Sequence, residues 1–247
     1  FKIIPFGLAC KTIIKLINYQ IIPMRQIARY PIDDPAFWKI QLLNWAFGHD
    51  LYLLLDSNGH KSTLVRNEWE LLAGTGAIDI LEMPAGGAFQ ALEQKQARAP
   101  DWLFGGFSYD LKNEVEQLSS THPDGIGFPD LIFFQPETVA GIRDGMLEIQ
   151  TLDVAPEKVL EAIRSAPPPP KTSGKSLKMQ PKTGKADYLQ TVDAIRQHII
   201  EGDLYELNYC QEFFAEHAQI DPYTLWNTLN GLARAPMSAF FRWKDRF

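Results

Sequence analysis

The stretch EGDLYELNYCQEF, residues 201–213, decides how the second half of this chain is interpreted. It follows the sequence ADYLQTVDAIRQHII, in which apolar residues recur at spacings of four, three and four, as on one face of a helix. Gly202 stands where a helix commonly ends in a left-handed residue. Residues 204–216 are rich in aromatics and alternate imperfectly, which predicts a strand. The sequence therefore predicts a helix that leads directly into a strand.

The same stretch carries polar groups that raise the question of a catalytic site. Glu201 and Asp203 flank Gly202, and paired carboxylates can perform acid–base chemistry, although solvated acids at a helix end are the commoner case. A buried Asn208 would need partners for its amide, which makes it a candidate ligand contact or a residue that fixes the fold. Cys210 has no neighbouring Lys or Arg to favour a thiolate, so a packed thiol is favoured over a nucleophile.

The chain changes composition at a proline-rich segment upstream of this stretch. Four prolines are followed by sequence rich in Lys, Ser and Gly, and we interpret residues 167–184 as a linker. Residues 24–166 are predicted to form a β-rich unit with helices. Residues 185–247 begin a second α+β unit, which is small for an independent core.

Residues 1–23 differ from the rest of the chain in charge and in their richness in isoleucine. The first acidic residue of the chain is Asp33. Lys11 and Lys15 interrupt every apolar core that a signal peptide or membrane anchor would need, and no small-residue cleavage site follows. We expect Met24 to be the natural start and interpret residues 1–23 as upstream sequence or a disordered extension.

Local patterns elsewhere predict individual elements. The apolar run LYLLLDS ends in turn-forming residues and predicts a strand, and the pair Asp144-Gly145 between TVAGIR and MLEIQ predicts a tight hairpin. Asp221 and Pro222 predict the N-cap and first turn of a helix. Further helices are predicted over 86–99 and 156–166, and a further strand in MSAFFRWKDRF.

Composition and the spacing of cysteines and histidines argue against several classes of function. The hydrophobic content of 45% is that of an ordinary soluble protein, and a net charge of −6 argues against nucleic-acid binding. The two cysteines, Cys10 and Cys210, form no CxxC pattern, so neither a zinc site nor a disulfide framework is predicted, and a reducing cytoplasm is expected. The five histidines show no metal-ligand spacing, and GKS at 174–176 lacks the frame of a phosphate-binding loop.

A resemblance gives the opening stretch a different meaning. The predicted helix, Gly202-Asp203, Tyr205, Asn208 and the Gln-x-Phe of residues 211–213 resemble the start of the chorismate-binding domain of chorismate-utilising enzymes. The motifs LLLDS, GGFSYDLKNEVEQL, FPDLIFF and RAPMSAF resemble other segments of that family, in the same order. The resemblance extends over residues 50–247.

The resemblance implies an α+β fold, with β-sandwich-like sheets flanked by helices and formed jointly by both halves of the sequence. Within the family, aminodeoxychorismate synthase component I is most similar, and anthranilate synthase component I is a close alternative. The rival from another class is a non-catalytic amino-acid-binding or regulatory module. The resemblance also implies chorismate as substrate, a glutaminase subunit (component II) as partner and Mg²⁺ as cofactor.

In the family, the catalytic elements and the magnesium-binding glutamates lie downstream of the position that corresponds to Phe247. No catalytic or metal-binding residue is therefore expected in this chain, which is expected to be inactive alone. Relatives hold tryptophan between the LL-x-S strand and the AP-x-S strand. That pocket corresponds to Ser57, Pro236, Met237 and Ser238, with Tyr205, Asn208 and Gln211 as supporting residues; two simply packed strands are the open alternative.

Overall fold

The computed structural model describes residues 24–60, 69–116, 118–119, 123–170 and 177–247. The predicted extension 1–23 and the GKS sequence at 174–176 lie outside the described residues. The elements, in chain order, are β1 (Gln26–Pro31), α1 (Pro35–Phe47), β2 (Leu51–Asp56), β3 (Leu71–Thr75), β4 (Asp79–Met83), α2 (Ala88–Arg98), β5 (Phe104–Phe107), a 3-10 helix (Tyr109–Glu114), β6 (Leu131–Gln135), β7 (Thr138–Arg143), β8 (Met146–Thr151), α3 (Pro156–Arg164), β9 (Gln180–Pro181), α4 (Lys185–Glu201), β10 (Phe213–Phe214), α5 (Pro222–Ala233) and β11 (Ser238–Trp243).

A six-stranded antiparallel sheet organises the chain, with strand order β1-β8-β7-β3-β2-β11. Its last strand, β11, comes from the C-terminal part of the sequence and pairs with β2 over six residue pairs. The two sequence halves therefore build one sheet together, as the resemblance implied.

The β7–β8 hairpin confirms the turn predicted at Asp144-Gly145. Both residues have positive φ, 50° for Asp144 and 70° for Gly145. A two-residue turn with φ > 0 at both positions matches the right-handed twist of the flanking strands, and Asp-Gly is one of the pairs that adopts it readily.

One face of the large sheet packs against helices. Leu42 and Ala46 of α1, Ile163 of α3 and Trp226 of α5 belong to a core cluster that includes Tyr52, Leu54, Leu71, Ile142, Leu147 and Phe240 from the strands. Asp34 is the N-cap of helix α1, and its carboxylate accepts a hydrogen bond from the backbone N–H of Phe37 at 3.0 Å. This cap satisfies one of the free donors of the first helical turn.

The opposite face of the large sheet packs against a three-stranded sheet of order β4-β6-β5. The layer between the two sheets contains Leu53, Leu72, Phe104, Phe134 and Val139. Because side chains alternate along a strand, Leu53 enters this layer while its neighbours in β2 enter the helical one. Helix α2 covers the outer face of the small sheet through a third cluster around Ala88, Leu111 and Leu131. The α+β sandwich with helices outside is confirmed.

The strand predicted over 204–216 is wrong in most of its length. Only Phe213–Phe214 forms a strand, and it pairs with Gln180–Pro181. Residues 204–212 pair with no strand among those that the structure describes. Alternation stabilises a strand only where one face meets a packed surface, and residues 204–212 are mostly exposed. Among the described residues, no helix combines the length and apolar character needed to cross a membrane.

Candidate functional site

The pairing of β2 with β11 brings two of the sequence motifs to one corner of the sheet. Asp56, the last residue of β2, lies opposite Ser238, the first residue of β11. The turn that follows β2 therefore faces the connection between α5 and β11. We call this region, residues 56–60 and 230–238, the β2–β11 corner.

A buried carboxylate anchors the β2–β11 corner. The side chain of Asp56 has no exposed surface. Its Oδ1 accepts hydrogen bonds from Lys39 Nζ and from the backbone N–H of Asn58, both at 2.8 Å. Its Oδ2 accepts one from Asn230 Nδ2 at 2.9 Å. The charge of Asp56 is thus balanced by Lys39, and its oxygens have several donors, as a buried carboxylate requires.

Asn58 joins the turn directly to the α5–β11 connection. Its Nδ2 donates to Asn230 Oδ1 and to the carbonyl oxygen of Ala235, each at 2.8 Å. Asn58 has a φ of 51°, a left-handed conformation that Asn tolerates better than most residues. His60 Nε2 lies 2.8 Å from the carbonyl oxygen of Arg234, at the C-terminus of α5. The turn after β2 is therefore held against the connection by side chains from both.

The four residues of the predicted amino-acid pocket all lie at this corner, in different environments. Ser57 is buried, and its Oγ donates to the carbonyl oxygen of Glu70 at 3.2 Å. Ser238 is half-buried, and Pro236 is exposed. Met237 is 73% exposed, so its side chain does not occupy the apolar part of the predicted amino-acid pocket. Binding of an amino acid here stays a prediction.

The predicted supporting residues lie in the segment after α4. Tyr205 is 92% exposed, and Asn208 is exposed as well, so its amide can be solvated and does not require protein partners. Gln211 donates through Nε2 to the carbonyl oxygen of Thr183 at 3.0 Å, and its buried Oε1 has no hydrogen-bond partner among the residues that the structure describes. The described contacts of these three residues do not join them to Ser57 or Met237. Their role in a pocket stays a prediction.

The paired acids of the opening stretch lie at the C-terminal end of α4. Gly202 is left-handed, with a φ of 84°, which confirms the predicted C-cap. Asp203 returns towards the helix, and its Oδ2 lies 2.7 Å from His198 Nδ1. Glu201 accepts a hydrogen bond from Gln197. All of these acids are exposed, which favours solvated charges at a helix end over an acid–base pair in a site.

The possible ligand atoms of His198, Glu201 and Asp203 lie within 4.8 Å of one another. Among the described residues, these three are the group of His, Cys, Asp or Glu side chains whose atoms lie close enough to hold a metal ion together. It does not fit Mg²⁺ well, because that ion prefers near-octahedral oxygen coordination and here one of the three ligands is the His198 imidazole, which lies within hydrogen-bond distance of Asp203. We therefore derive no chemical step through Mg²⁺ in this chain.

Residues of the motifs GGFSYDLKNEVEQL and FPDLIFF form hydrogen bonds with the backbone of the loop that precedes α2. Ser108 Oγ donates to Asp130 Oδ1 at 2.6 Å, and Asp130 Oδ2 accepts from the N–H of Ala85 at 2.8 Å. The carboxylate of Glu114 accepts from Gly86 and Ala88 N–H groups at 2.6 and 2.7 Å. These donors hold the pKa of Glu114 below its ordinary value. The polar residues of GGFSYDLKNE and FPD thus position a loop.

Sequence reasoning missed the roles of Asp56 and Asn230. Asp56 ended an apolar run and was interpreted as a turn residue, and Asn230 lay inside a predicted helix. Their contact joins positions 174 residues apart. A polar residue that ends a fully apolar strand was the available signal, since such a residue needs partners if the strand end is buried.

Comparison with known proteins supplies further findings. A family model described as "chorismate binding enzyme" matches residues 51–246. Anthranilate synthase component 1 from Cereibacter sphaeroides is 27% identical over 162 residues, which cover 56% of this chain and 32% of that protein. Anthranilate synthase component 1 from Thermus thermophilus is 26% identical over 163 residues, covering 58% and 34%. The chain spans about a third of the length of these relatives.

A solved structure is similar as well. The menaquinone-specific isochorismate synthase MenF from Escherichia coli superposes with a TM-score of 0.42 at 14% identity. The matched part covers 75% of this chain and 40% of that one.

Proposed function

The chain belongs to the chorismate-binding enzyme family, and we propose that the protein is component I of aminodeoxychorismate synthase. In this reaction an ammonia nitrogen replaces the C4 hydroxyl of chorismate, which gives 4-amino-4-deoxychorismate and water. The ammonia would come from a glutaminase subunit, and the product would enter folate biosynthesis in the cytoplasm. The family membership supports chorismate as the substrate.

The pairing of LLLDS with MSAFFRW is the observation that supports the proposal most directly. These two motif strands come from separate halves of the chain and lie side by side in register, with Ser238 opposite Asp56. The pairing is tied by Asn58, Asn230 and the Asp56 carboxylate. Motifs that match the family in sequence are thus also neighbours in space.

Anthranilate synthase component I is the second candidate. Both of the relatives named above are proteins of that kind, at 27% and 26% identity. Identities of this size support the family more strongly than a particular product. The two candidates share chorismate and ammonia and differ in the compound released.

Product analysis of the natural full-length protein tests the two candidates. The protein would be incubated with chorismate, ammonium and Mg²⁺, and the products separated by chromatography. We expect 4-amino-4-deoxychorismate. Anthranilate would establish the second candidate instead, and consumption of no chorismate would favour the non-catalytic module. The 247-residue chain alone is expected to consume none, and turnover by it would move catalytic groups into residues 24–247.

Mg²⁺ would act as a Lewis acid and hold the substrate carboxylate. Its ligands are expected downstream of Phe247, by the resemblance. The contribution that we assign to this chain is structural and regulatory: its sandwich supports the chorismate-binding part, and the β2–β11 corner binds an amino acid.

The β2–β11 corner offers chemistry suited to tryptophan. The Ser57 hydroxyl donates a hydrogen bond to the backbone carbonyl oxygen of Glu70, so the lone pairs of its own oxygen remain to accept from an ammonium group. The exposed thioether of Met237 provides a polarizable contact for an indole ring. Calorimetric titration with tryptophan tests this, with Ser57→Ala as the variant that should weaken binding and Ser165→Ala, on the exposed end of α3, as its control.

A further inference from the structure

The sequence contains two Asn-Gly pairs, and the fold gives them different backbone conformations. Asn58-Gly59 forms the turn after β2, and Asn230-Gly231 lies inside α5. Both pairs belong to the β2–β11 corner, since Asn58 Nδ2 donates to Asn230 Oδ1 at 2.8 Å. Asparagine followed by glycine is the pair most open to deamidation, because glycine has no side chain that shields its backbone nitrogen from the asparagine side chain.

The two pairs are matched in exposure and in the space around the glycine. Asn58 and Asn230 are both half-buried, and Gly59 and Gly231 are both exposed. An added Cβ at either glycine would meet nothing within 4 Å. A difference in reactivity between the pairs must therefore come from the backbone and its hydrogen bonds, and not from steric protection.

The turn after β2 leaves the backbone nitrogen of Gly59 accessible. Asn58 has a φ of 51° and Gly59 has a φ of 73°. Positive φ at both central residues is the arrangement of a type I′ turn. The N–H of His60 closes this turn by donating to the carbonyl oxygen of Ser57 at 3.0 Å. No residue that the structure describes accepts a hydrogen bond from the N–H of Gly59, so this group can lose its proton to solvent base.

The pair inside α5 lacks this freedom. In an α-helix each N–H donates to the carbonyl oxygen four residues earlier, which assigns the N–H of Gly231 to the carbonyl oxygen of Asn227. The same spacing is kept at the end of the helix, where the N–H of Arg234 donates to the carbonyl oxygen of Asn230 at 3.0 Å. The Gly231 nitrogen therefore cannot react with the Asn230 side chain unless the helix unwinds locally.

We propose that Asn58 is a site of spontaneous deamidation, which releases the turn after β2 from the rest of the β2–β11 corner. The backbone nitrogen of Gly59 forms a bond to Cγ of Asn58, and the bond from Cγ to Nδ2 breaks. Nδ2 leaves as ammonia and carries away the proton of the Gly59 N–H. Water then opens the cyclic imide. Opening at Cγ gives aspartate at position 58, and opening at the backbone carbonyl carbon gives isoaspartate.

Either product loses contacts that hold the β2–β11 corner together. Asn58 Nδ2 donates to Asn230 Oδ1 and to the carbonyl oxygen of Ala235, each at 2.8 Å. A carboxylate cannot donate, so after deamidation it would face two acceptor oxygens. The new negative charge would also lie near the buried carboxylate of Asp56, which accepts from the backbone N–H of Asn58 at 2.8 Å. The turn would thus separate from the connection between α5 and β11.

Peptide mapping of the 247-residue chain tests the site. The folded chain would be incubated at mildly alkaline pH and digested. Mass spectrometry would then follow the fraction of each Asn-Gly peptide that has gained the mass difference between a hydroxyl and an amino group. The same chain in concentrated guanidinium chloride gives the reference rate of each pair without structure.

We expect folding to act differently on the two rates. Asn58 should convert in the folded chain at a rate within severalfold of its rate in guanidinium chloride. Asn230 should be slowed by more than an order of magnitude, because its reaction requires local unwinding of α5. Equal slowing of the two pairs by folding, or no conversion at Asn58 in the folded chain, overturns the proposal.

Two variants test the release of the turn. Asn58→Asp supplies the aspartate product directly, whereas Asn58→Gly removes the amide without adding a charge and tolerates the positive φ. Hydrogen exchange at the N–H groups of His60 and Arg234 should be severalfold faster in Asn58→Asp than in Asn58→Gly. Exchange in Asn58→Asp that equals the wild-type rate would show that deamidation leaves the β2–β11 corner intact, against the proposal.

Discussion

Strand β11 and helix α4 both come from the C-terminal part of the chain, yet they differ in what they bury. In β11, Phe240 and Trp243 are buried, and Phe240 joins the core cluster beneath the helices. In α4, none of the side chains is buried, although the helix is 17 residues long. Leu189 and Ile200 of α4 are more than half exposed.

The difference lies in the surface that each element meets. β11 pairs with β2 at the edge of the large sheet. One face of that sheet is covered by helices that include α1, and the other face is covered by the small sheet. Helix α4 lies in sequence between β9 and β10, which pair over only two residues each. Its Tyr188 ring stacks on the ring of Tyr209. Both elements form, but only β11 packs against a covered core. We therefore expect β11 to contribute strongly to stability and α4 to contribute little.

The largest effect should follow loss of a β11 core side chain. Phe240→Ala removes a ring that contacts Tyr52, Phe47 and Trp226, and should lower the free energy of unfolding by about 3 kcal/mol. Ile200→Ala in α4 should change it by less than about 0.5 kcal/mol. Urea unfolding measures both. Similar losses in the two variants would break the comparison.

Removal of the buried carboxylate should come next. Asp56→Ala leaves Asn230 Nδ2 and the N–H of Asn58 without their acceptor and should cost about 2 kcal/mol. Asp50→Ala is the control, because Asp50 is almost fully exposed in its pair with Arg242. The control should cost less than about 0.5 kcal/mol. Hydrogen exchange at Asn58 should also accelerate in the Asp56 variant alone.

Two glycines sharpen the same contrast between covered and open positions. At Gly74 in β3, an added Cβ would lie 2.7 Å from the Phe104 ring, so Gly74→Ala should destabilise the fold by roughly 1–3 kcal/mol. At Gly231 in α5, an added Cβ meets nothing within 4 Å. Gly231→Ala should therefore stabilise by about 0.5 kcal/mol through helix propensity. Thermal unfolding of both variants decides this, and equal signs would refute it.

These cases also show how much the sequence could predict. The Asp144-Gly145 hairpin and the N-cap at Asp221 depend on neighbouring residues, and both were predicted correctly. The placement of β11 beside β2 is non-local, and only the family resemblance indicated it. The contact of Asp56 with Asn230 was missed because a hydrogen bond between distant positions leaves no periodic pattern. The strand over 204–216 failed because alternation does not reveal whether a partner surface exists.

Acid should weaken the sandwich through Asp101. Burial alone raises the pKa of its carboxyl group, but hydrogen bonds from Arg25 and Gln135 outweigh burial and lower it. Its stabilising contribution is therefore full above the unfolded pKa, about 4, and is lost as the pH falls through the lower folded value. Asp101→Asn should flatten the pH dependence of unfolding in this window. An unchanged slope below pH of about 4 would show that other carboxyl groups dominate.

The smallest effect is expected at the exposed end of α4. Asp203 pairs with His198 at 2.7 Å, but both side chains are more than half exposed. Asp203→Asn should therefore change the free energy of unfolding by less than about 0.5 kcal/mol. Asp221→Ala is the informative partner, because Asp221 caps α5 through the N–H groups of Tyr223 and Thr224. Loss of that cap should lower the free energy of unfolding by about 1 kcal/mol. Trp226 of α5 packs in the core, so unwinding of the helix would expose the Trp226 side chain. A cost at Asp203 equal to that at Asp221 would mean that α4 is anchored as firmly as α5, against the contrast drawn from burial.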